Sequence, residues 1–177
     1  PRSALVPAAA LLRAVLGAPV PVLAKWGVNR TLFNGEESTF ACLEDVLTEV
    51  VELFPGTYVH VGGDEAVKDQ WEASPRVRQR MRELGVRDAA QLQSHFVGRM
   101  ERFLSAHGRR LIGWDEILEG GLPPEATVMS WRGLDGGIAA ASLGHDVGMS
   151  PSSDLYLDYL QTAAPDERLQ LALRDEA

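Results

Sequence analysis

Two hydrophobic periods alternate along this chain, and that alternation restricts the fold more than any other feature. Residues 39–54 have helical spacing, with Phe40, Leu43, Val46, Leu47, Val50 and Leu53 on one side and Glu44, Asp45 and Glu52 opposite. Pro55-Gly56 stops that helix, and the β-branched and aromatic run Thr57-Tyr58-Val59-His60-Val61 predicts a strand ending at Gly62-Gly63. Residues 65–85 are polar and weakly helical, with a break at Ser74-Pro75. Asp88 is a suitable N-cap for a helix over 89–107, whose apolar face is Leu92, Phe96, Met100, Phe103 and Leu104 and whose stop is Gly108. Strands are predicted at 111–114, 126–131 and 146–149, with an alanine-rich helix over 136–143 before the last. A short helix over 8–16 and a charged, helical tail from 165 complete the reading. Strands alternating with helices predict an α/β fold with a parallel sheet, because parallel neighbours need a crossover long enough to hold a helix. Strands that end in polar and aromatic residues place a site at the carboxyl edge of that sheet. A doubly wound sheet satisfies the same pattern. Its phosphate-binding glycine loop is absent, since Gly62-Gly63 precedes two acids that repel phosphate.

The 177 residues are enough for one domain with a hydrophobic core. Hydrophobic residues at 45% and charged residues at 24% exclude a disordered chain. A net charge of -8 with no Lys/Arg run argues against nucleic acid as a partner. The one cysteine, Cys42, rules out an intrachain disulfide and a paired-cysteine zinc site, and its place on the first long helix predicts a buried thiol. The apolar stretch from Ala8 to Leu12 is interrupted by Arg13 and falls short of the ~20 residues of a membrane span. The first residue is Pro1, and the opening residues do not read as a signal peptide.

The sharpest chemical feature is His60-Val61-Gly62-Gly63-Asp64-Glu65. Adjacent carboxylates after a buried strand are costly unless they are exposed or used. Paired glycines permit backbone geometry closed to other residues and let a ligand approach. A solvated acidic turn is the plain alternative. Trp114 and Trp131 end successive strands and Tyr156 follows the last one. Any one of them alone reads as core. Acids beside several aromatic walls suit a sugar, whose C–H faces pack on rings.

These residues resemble a known family. His60 to Glu65 is similar to the His-x-Gly-Gly-Asp-Glu signature of family 20 glycoside hydrolases, the β-N-acetylhexosaminidases. The likeness continues in Leu53-Phe54-Pro55, Gly113-Trp114-Asp115-Glu116-Ile117, Met129-Ser130-Trp131-Arg132-Gly133 and Tyr156-Leu157-Asp158-Tyr159, in the family's order. It spans roughly residues 26–161. The resemblance implies a (β/α)8 TIM-barrel catalytic domain. Such barrels take ~250 residues, so residues 1–177 are read as one incomplete barrel segment, about strands 4–7 with flanking helices. Counterparts of the family's substrate-gripping Arg and of its last Trp and Glu are not found.

The resemblance also implies roles. Most retaining glycosidases place an acid and a nucleophile ~5–5.5 Å apart across the bond, whereas this family uses the substrate's own 2-acetamido oxygen as nucleophile. Neighbours on an extended strand point to opposite sides, so Asp64 and Glu65 need not face each other across the bond. Glu65 is then the general acid and base, and Asp64 orients the acetamido group. Tyr156 bonds the acetamido oxygen, Trp114 and Trp131 wall the pocket, and Asp158 binds sugar hydroxyls. His60, Gly62 and Gly63 support the acids from behind. Asp115 and Glu116 are read as ion-pair residues ahead of outer-pocket ones. β-N-acetylhexosaminide sugars are the implied partners, with no cofactor. Members of the family are often secreted or periplasmic. A metal at His60, Asp64 and Glu65 is the lesser reading, because no other histidine has ligand spacing. Two rivals stay open. A diguanylate cyclase carries a Gly-Gly-Asp/Glu-Glu-Phe hairpin, but Ala66 stands where that pattern needs Phe. An inactive barrel piece would only bind sugar or pack against another chain.

Overall fold

The computed structural model describes residue 28 and residues 31–157. The helices expected over 8–16 and beyond 165 lie outside the described residues, as does Asp158. The chain runs through α1 (Glu37–Leu53), β1 (Tyr58–His60), α2 (Asp69–Ala73), α3 (Pro75–Leu84), α4 (Ala89–Ala106), β2 (Arg110–Trp114), a 3₁₀ helix (Asp115–Gly120), β3 (Thr127–Ser130), α5 (Asp135–Ser142), β4 (Val147–Met149) and α6 (Ser152–Leu155).

Local chemistry sets the element ends. Asn34 organises the entry to α1, its Oδ1 accepting the Glu36 N–H at 3.1 Å and the Thr39 hydroxyl. The expected break in the polar stretch separates α2 from α3: Ser74 caps α3 by accepting the Val77 N–H, and Pro75 occupies its first turn. Asp88 caps α4, accepting the Gln91 N–H at 2.8 Å. The segment after Glu65 continues into a helix, not into the second strand of a hairpin.

The four strands among the described residues are parallel, in the order β1-β2-β3-β4 with no reversal. Register pairs Val59 with Leu111, Gly113 with Val128, and Trp114 with Met129. Because side chains alternate along a strand, Val59, Leu111 and Val128 fall on one face. They pack there with Val97, Met100 and Leu104 of α4 and Ala140 of α5. His60, Ile112, Trp114 and Met129 fall on the opposite face. The two faces therefore divide the work: one builds the core, the other carries the candidate chemistry at its carboxyl end.

Two expectations fail in α1. Phe40 is fully buried, but Val46 and Leu53, assigned to the same apolar face, are 39% and 71% exposed. Cys42, expected as a buried thiol, is only partly buried. Thr39 and Phe40 are the buried residues of α1, and its later apolar side chains are covered incompletely. Leu43, Val46 and Leu47 instead line a groove of about 550 Å³ that runs to Asp64 and Glu65. No helix among the described residues is long and apolar enough to cross a membrane.

Candidate active site

The acidic turn is built by extending the β1–β2 ladder past His60. The Val61 N–H donates to the Ile112 carbonyl and the Trp114 N–H to the Gly62 carbonyl, both at 2.9 Å. The backbone then turns sharply, with φ of 73° at Gly62 and 97° at Gly63. Gly63 has a second constraint: a Cβ there would lie 2.4 Å from the Ile117 Cγ2 of the 3₁₀ helix. Its carbonyl is held by the Gln93 side-chain amide of α4 at 2.7 Å. Glu65 also has a left-handed φ, 47°. Among the described residues it is the one non-glycine residue with positive φ, a conformation that costs free energy and clusters at functional sites.

Asp64 and Glu65 are both exposed. They stand on a turn beyond the strand, so the expectation that they alternate sides as strand neighbours does not apply. Both border the large groove, with His60, Val61 and Gly63 beside them. Glu65 also borders a smaller cleft of about 390 Å³, shared with Lys68, Glu116, Glu119 and Arg132.

A series of rings runs along the carboxyl ends of the strands. His60 contacts Trp114 with centroids 4.7 Å apart. Trp114 meets Trp131 edge-on at 6.4 Å, and Trp131 stacks on Tyr156 at 6.4 Å with 18° between planes. The structure therefore joins the three expected aromatics into one wall and adds His60 to its end. The His60 Nδ1 accepts the Gly62 N–H at 3.0 Å, a bond that favours the neutral ring because a protonated nitrogen cannot accept. Partial burial lowers its pKa, and the Asp64 charge only partly opposes that. The described residues contain no group of three His, Cys, Asp or Glu side chains placed to hold a metal.

Behind the wall lies a charge cluster. Asp115 and Glu116 open the 3₁₀ helix and are 1% and 8% exposed. Asp115 accepts the Trp131 backbone N–H at 3.3 Å and the Arg132 Nε–H at 2.7 Å. Glu116 accepts the Trp131 indole N–H at 2.9 Å, with Arg132 Nε 3.7 Å from its other oxygen. Burial pushes the Glu116 carboxyl above the usual carboxylate range, against the opposing pull of the Trp131 bond and of Arg132. Glu119 links the cluster to the acidic turn through Lys68 at 3.2 Å and to Arg132 at 3.6 Å. The ion-pair reading of Asp115 and Glu116 thus holds, but their hydrogen bonds to Trp131 were not anticipated. Gln93 was also missed. A polar residue in a helix stripe with Leu92, Val97 and Met100 is the sequence signal that marks it.

A model of the "Glycosyl hydrolase family 20, catalytic domain" matches residues 10–173. A beta-hexosaminidase of Porphyromonas gingivalis is 56% identical over 138 residues, which cover 77% of this chain and 18% of that protein. A beta-hexosaminidase of Vibrio furnissii is 37% identical over 130 residues, covering 73% of this chain and 21% of that protein. Among solved structures, the exo-β-N-acetylglucosaminidase of Vibrio harveyi in complex with N-acetylglucosamine superposes with a TM-score of 0.68 at 31% identity, covering 75% of this chain and 21% of that one. The β-N-acetylhexosaminidase of Bacteroides fragilis gives a TM-score of 0.69 at 29% identity, covering 77% and 29%. The chain spans about a fifth of the length of the curated relatives.

Proposed function

The chain belongs to glycoside hydrolase family 20, its parallel sheet forming part of a TIM barrel, and from that premise we propose that it carries a catalytic segment of a β-N-acetylhexosaminidase. The substrates are sugars with terminal, non-reducing β-linked N-acetylglucosamine or N-acetylgalactosamine, cleaved with retention. The observation that carries this reading is the Asp64-Glu65 turn at the carboxyl end of β1 beside a wall of Trp114 at the end of β2, Trp131 just after β3 and Tyr156 after α6. The sugar-bound Vibrio harveyi relative supports the choice of ligand.

Glu65 donates its proton to the glycosidic oxygen as the C1–O bond breaks. The 2-acetamido carbonyl oxygen attacks C1 and closes an oxazolinium ring, so no enzyme carboxylate need bond to the sugar. Asp64 accepts the acetamido N–H and balances the positive charge that builds on the ring. Tyr156 donates to the acetamido oxygen, and Trp114 and Trp131 exclude water from the sugar face. Glu65, now ionised, removes a proton from the water that opens the oxazolinium. Asp158 binds hydroxyls of the same sugar. Residues 1–177 form a single segment of that barrel.

The test compares wild type with Glu65→Gln on p-nitrophenyl β-N-acetylglucosaminide. Removing a general acid should lower kcat/KM by about 10²–10⁴-fold. A trifluoroacetamido substrate, whose carbonyl oxygen is a poorer nucleophile, should react more slowly with wild type. Unchanged activity in Glu65→Gln would remove Glu65 from the mechanism. Equal rates with a substrate bearing a 2-hydroxyl would remove the acetamido nucleophile.

A further inference from the structure

The cluster behind the aromatic wall is costly to build. Two consecutive carboxylates are buried there against one arginine, and a buried ion pair contributes little net stability on its own. What the pair touches indicates its use. Asp115 and Glu116 both hold the same residue, one at each end: Asp115 takes the backbone N–H of Trp131 and Glu116 takes its indole N–H. Arg132, the next residue along, sits against both acids.

The indole is a donor only, and its stack on Tyr156 constrains the ring plane without distinguishing the ring from its flipped rotamer. A directional bond to Nε1 makes that distinction, because flipping the ring carries the N–H away from Glu116. We propose that Glu116 is a positioning residue, which fixes the Trp131 indole in the single rotamer that presents a flat Trp131–Tyr156 wall to the substrate. Arg132 Nε lies 3.7 Å from the other Glu116 oxygen and is itself held by Asp115 at 2.7 Å. In this proposal Glu116 acts through Trp131, whose indole N–H it holds at 2.9 Å. Only the identity of the ligand packed on the wall rests on the proposed function. The hold on the ring stands on the geometry.

Indole ¹H–¹⁵N signals test this directly, with the Trp131 signal identified by its loss in Trp131→Phe. Glu116→Met keeps the side-chain size but has no strong acceptor, whereas Glu116→Gln keeps an acceptor oxygen. In Glu116→Met the Trp131 N–H should shift toward the free-indole position and exchange with water at least roughly tenfold faster, as expected for loss of a bond to a charged acceptor. Its dissociation constant for N-acetylglucosamine should rise by a similar factor. Glu116→Gln should restore most of both. An unchanged Trp71 signal shows that the variant is folded, since that ring is in the core. An unchanged Trp131 signal in Glu116→Met overturns the proposal, and so does a changed signal with unchanged sugar affinity. Failure of wild type to bind the sugar counts against the proposed substrate, and the indole signals alone then decide for or against the hold of Glu116 on the ring.

Discussion

At Gly63 a single methyl group has nowhere to go. The backbone is left-handed there and an added Cβ would lie 2.4 Å from Ile117 Cγ2, a side chain that is itself 1% exposed. Ile117 cannot retreat without disturbing the 3₁₀ helix that carries Asp115 and Glu116. Gly63→Ala should therefore destabilise the protein by about 1–3 kcal/mol and lower activity as well, because the strain falls next to Asp64. Denaturant unfolding checks the first effect, and a midpoint equal to wild type would show that the turn adapts. The double glycine was legible in the sequence as a device for unusual backbone geometry. The left-handed Glu65 was not, because glutamate has no intrinsic preference for positive φ and only the surrounding turn imposes it.

The two long helices, α1 and α4, were legible from their periodicity and the ends of α4 from Asp88 and Gly108, and Ser74-Pro75 marked the break between α2 and α3, whereas the four-residue α6 is too short to carry a period. Burial along a helix is a separate question, and α1 shows why. Its apolar stripe is continuous in sequence, yet Phe40 is fully buried and Leu53 is 71% exposed. Phe40→Ala should cost about 3–5 kcal/mol through the cavity it leaves. Leu53→Ala should stay within about 0.5 kcal/mol, since an exposed side chain has little burial to lose. Thermal or denaturant melts of the two variants decide this, and a large loss at Leu53 would mean that its side chain is covered in solution. Between the strands expected at 111–114 and 126–131 the periodicity marks no element, and the 3₁₀ helix lies there. Its opening acids read as ion-pair residues in the sequence, but their partners Trp131 and Arg132 lie more than a dozen residues later and only the fold brings them together.

Across the whole molecule, two histidines give stability a dependence on mild acid. The pKa of His60 is lowered by partial burial, and that of His95 by burial and the nearby Arg99, Arg102 and Arg80 charges. The unfolded chain therefore takes up protons first as pH falls through the ordinary histidine value of about 6.5. More protons on the unfolded state means that stability falls with falling pH. The full contribution is present above about pH 6.5 and is lost toward the lowered folded values. Glu116 works in the opposite sense, since its raised pKa favours the folded state below the raised value. Unfolding midpoints at pH 7.5 and 5.5 should fall in wild type and fall less in a His60→Gln, His95→Gln double variant. An equal fall in both would assign the acid sensitivity to other groups.

By itself the sequence determined the alternation of strands and helices, the helix caps, the Gly-Gly-Asp-Glu turn and the ordered motifs of the family. All of these are encoded among residues close together in the chain, through side-chain spacing and local φ preference. Only the tertiary structure decided that His60, Trp114, Trp131 and Tyr156 form one wall, that Gln93 holds the acidic turn, and that Asp115 and Glu116 grip Trp131 from behind. Those contacts depend on the β2–β3 register, which pairs Trp114 with Met129. A register joins residues from two separate strands, so the side-chain spacing within either strand alone does not state it.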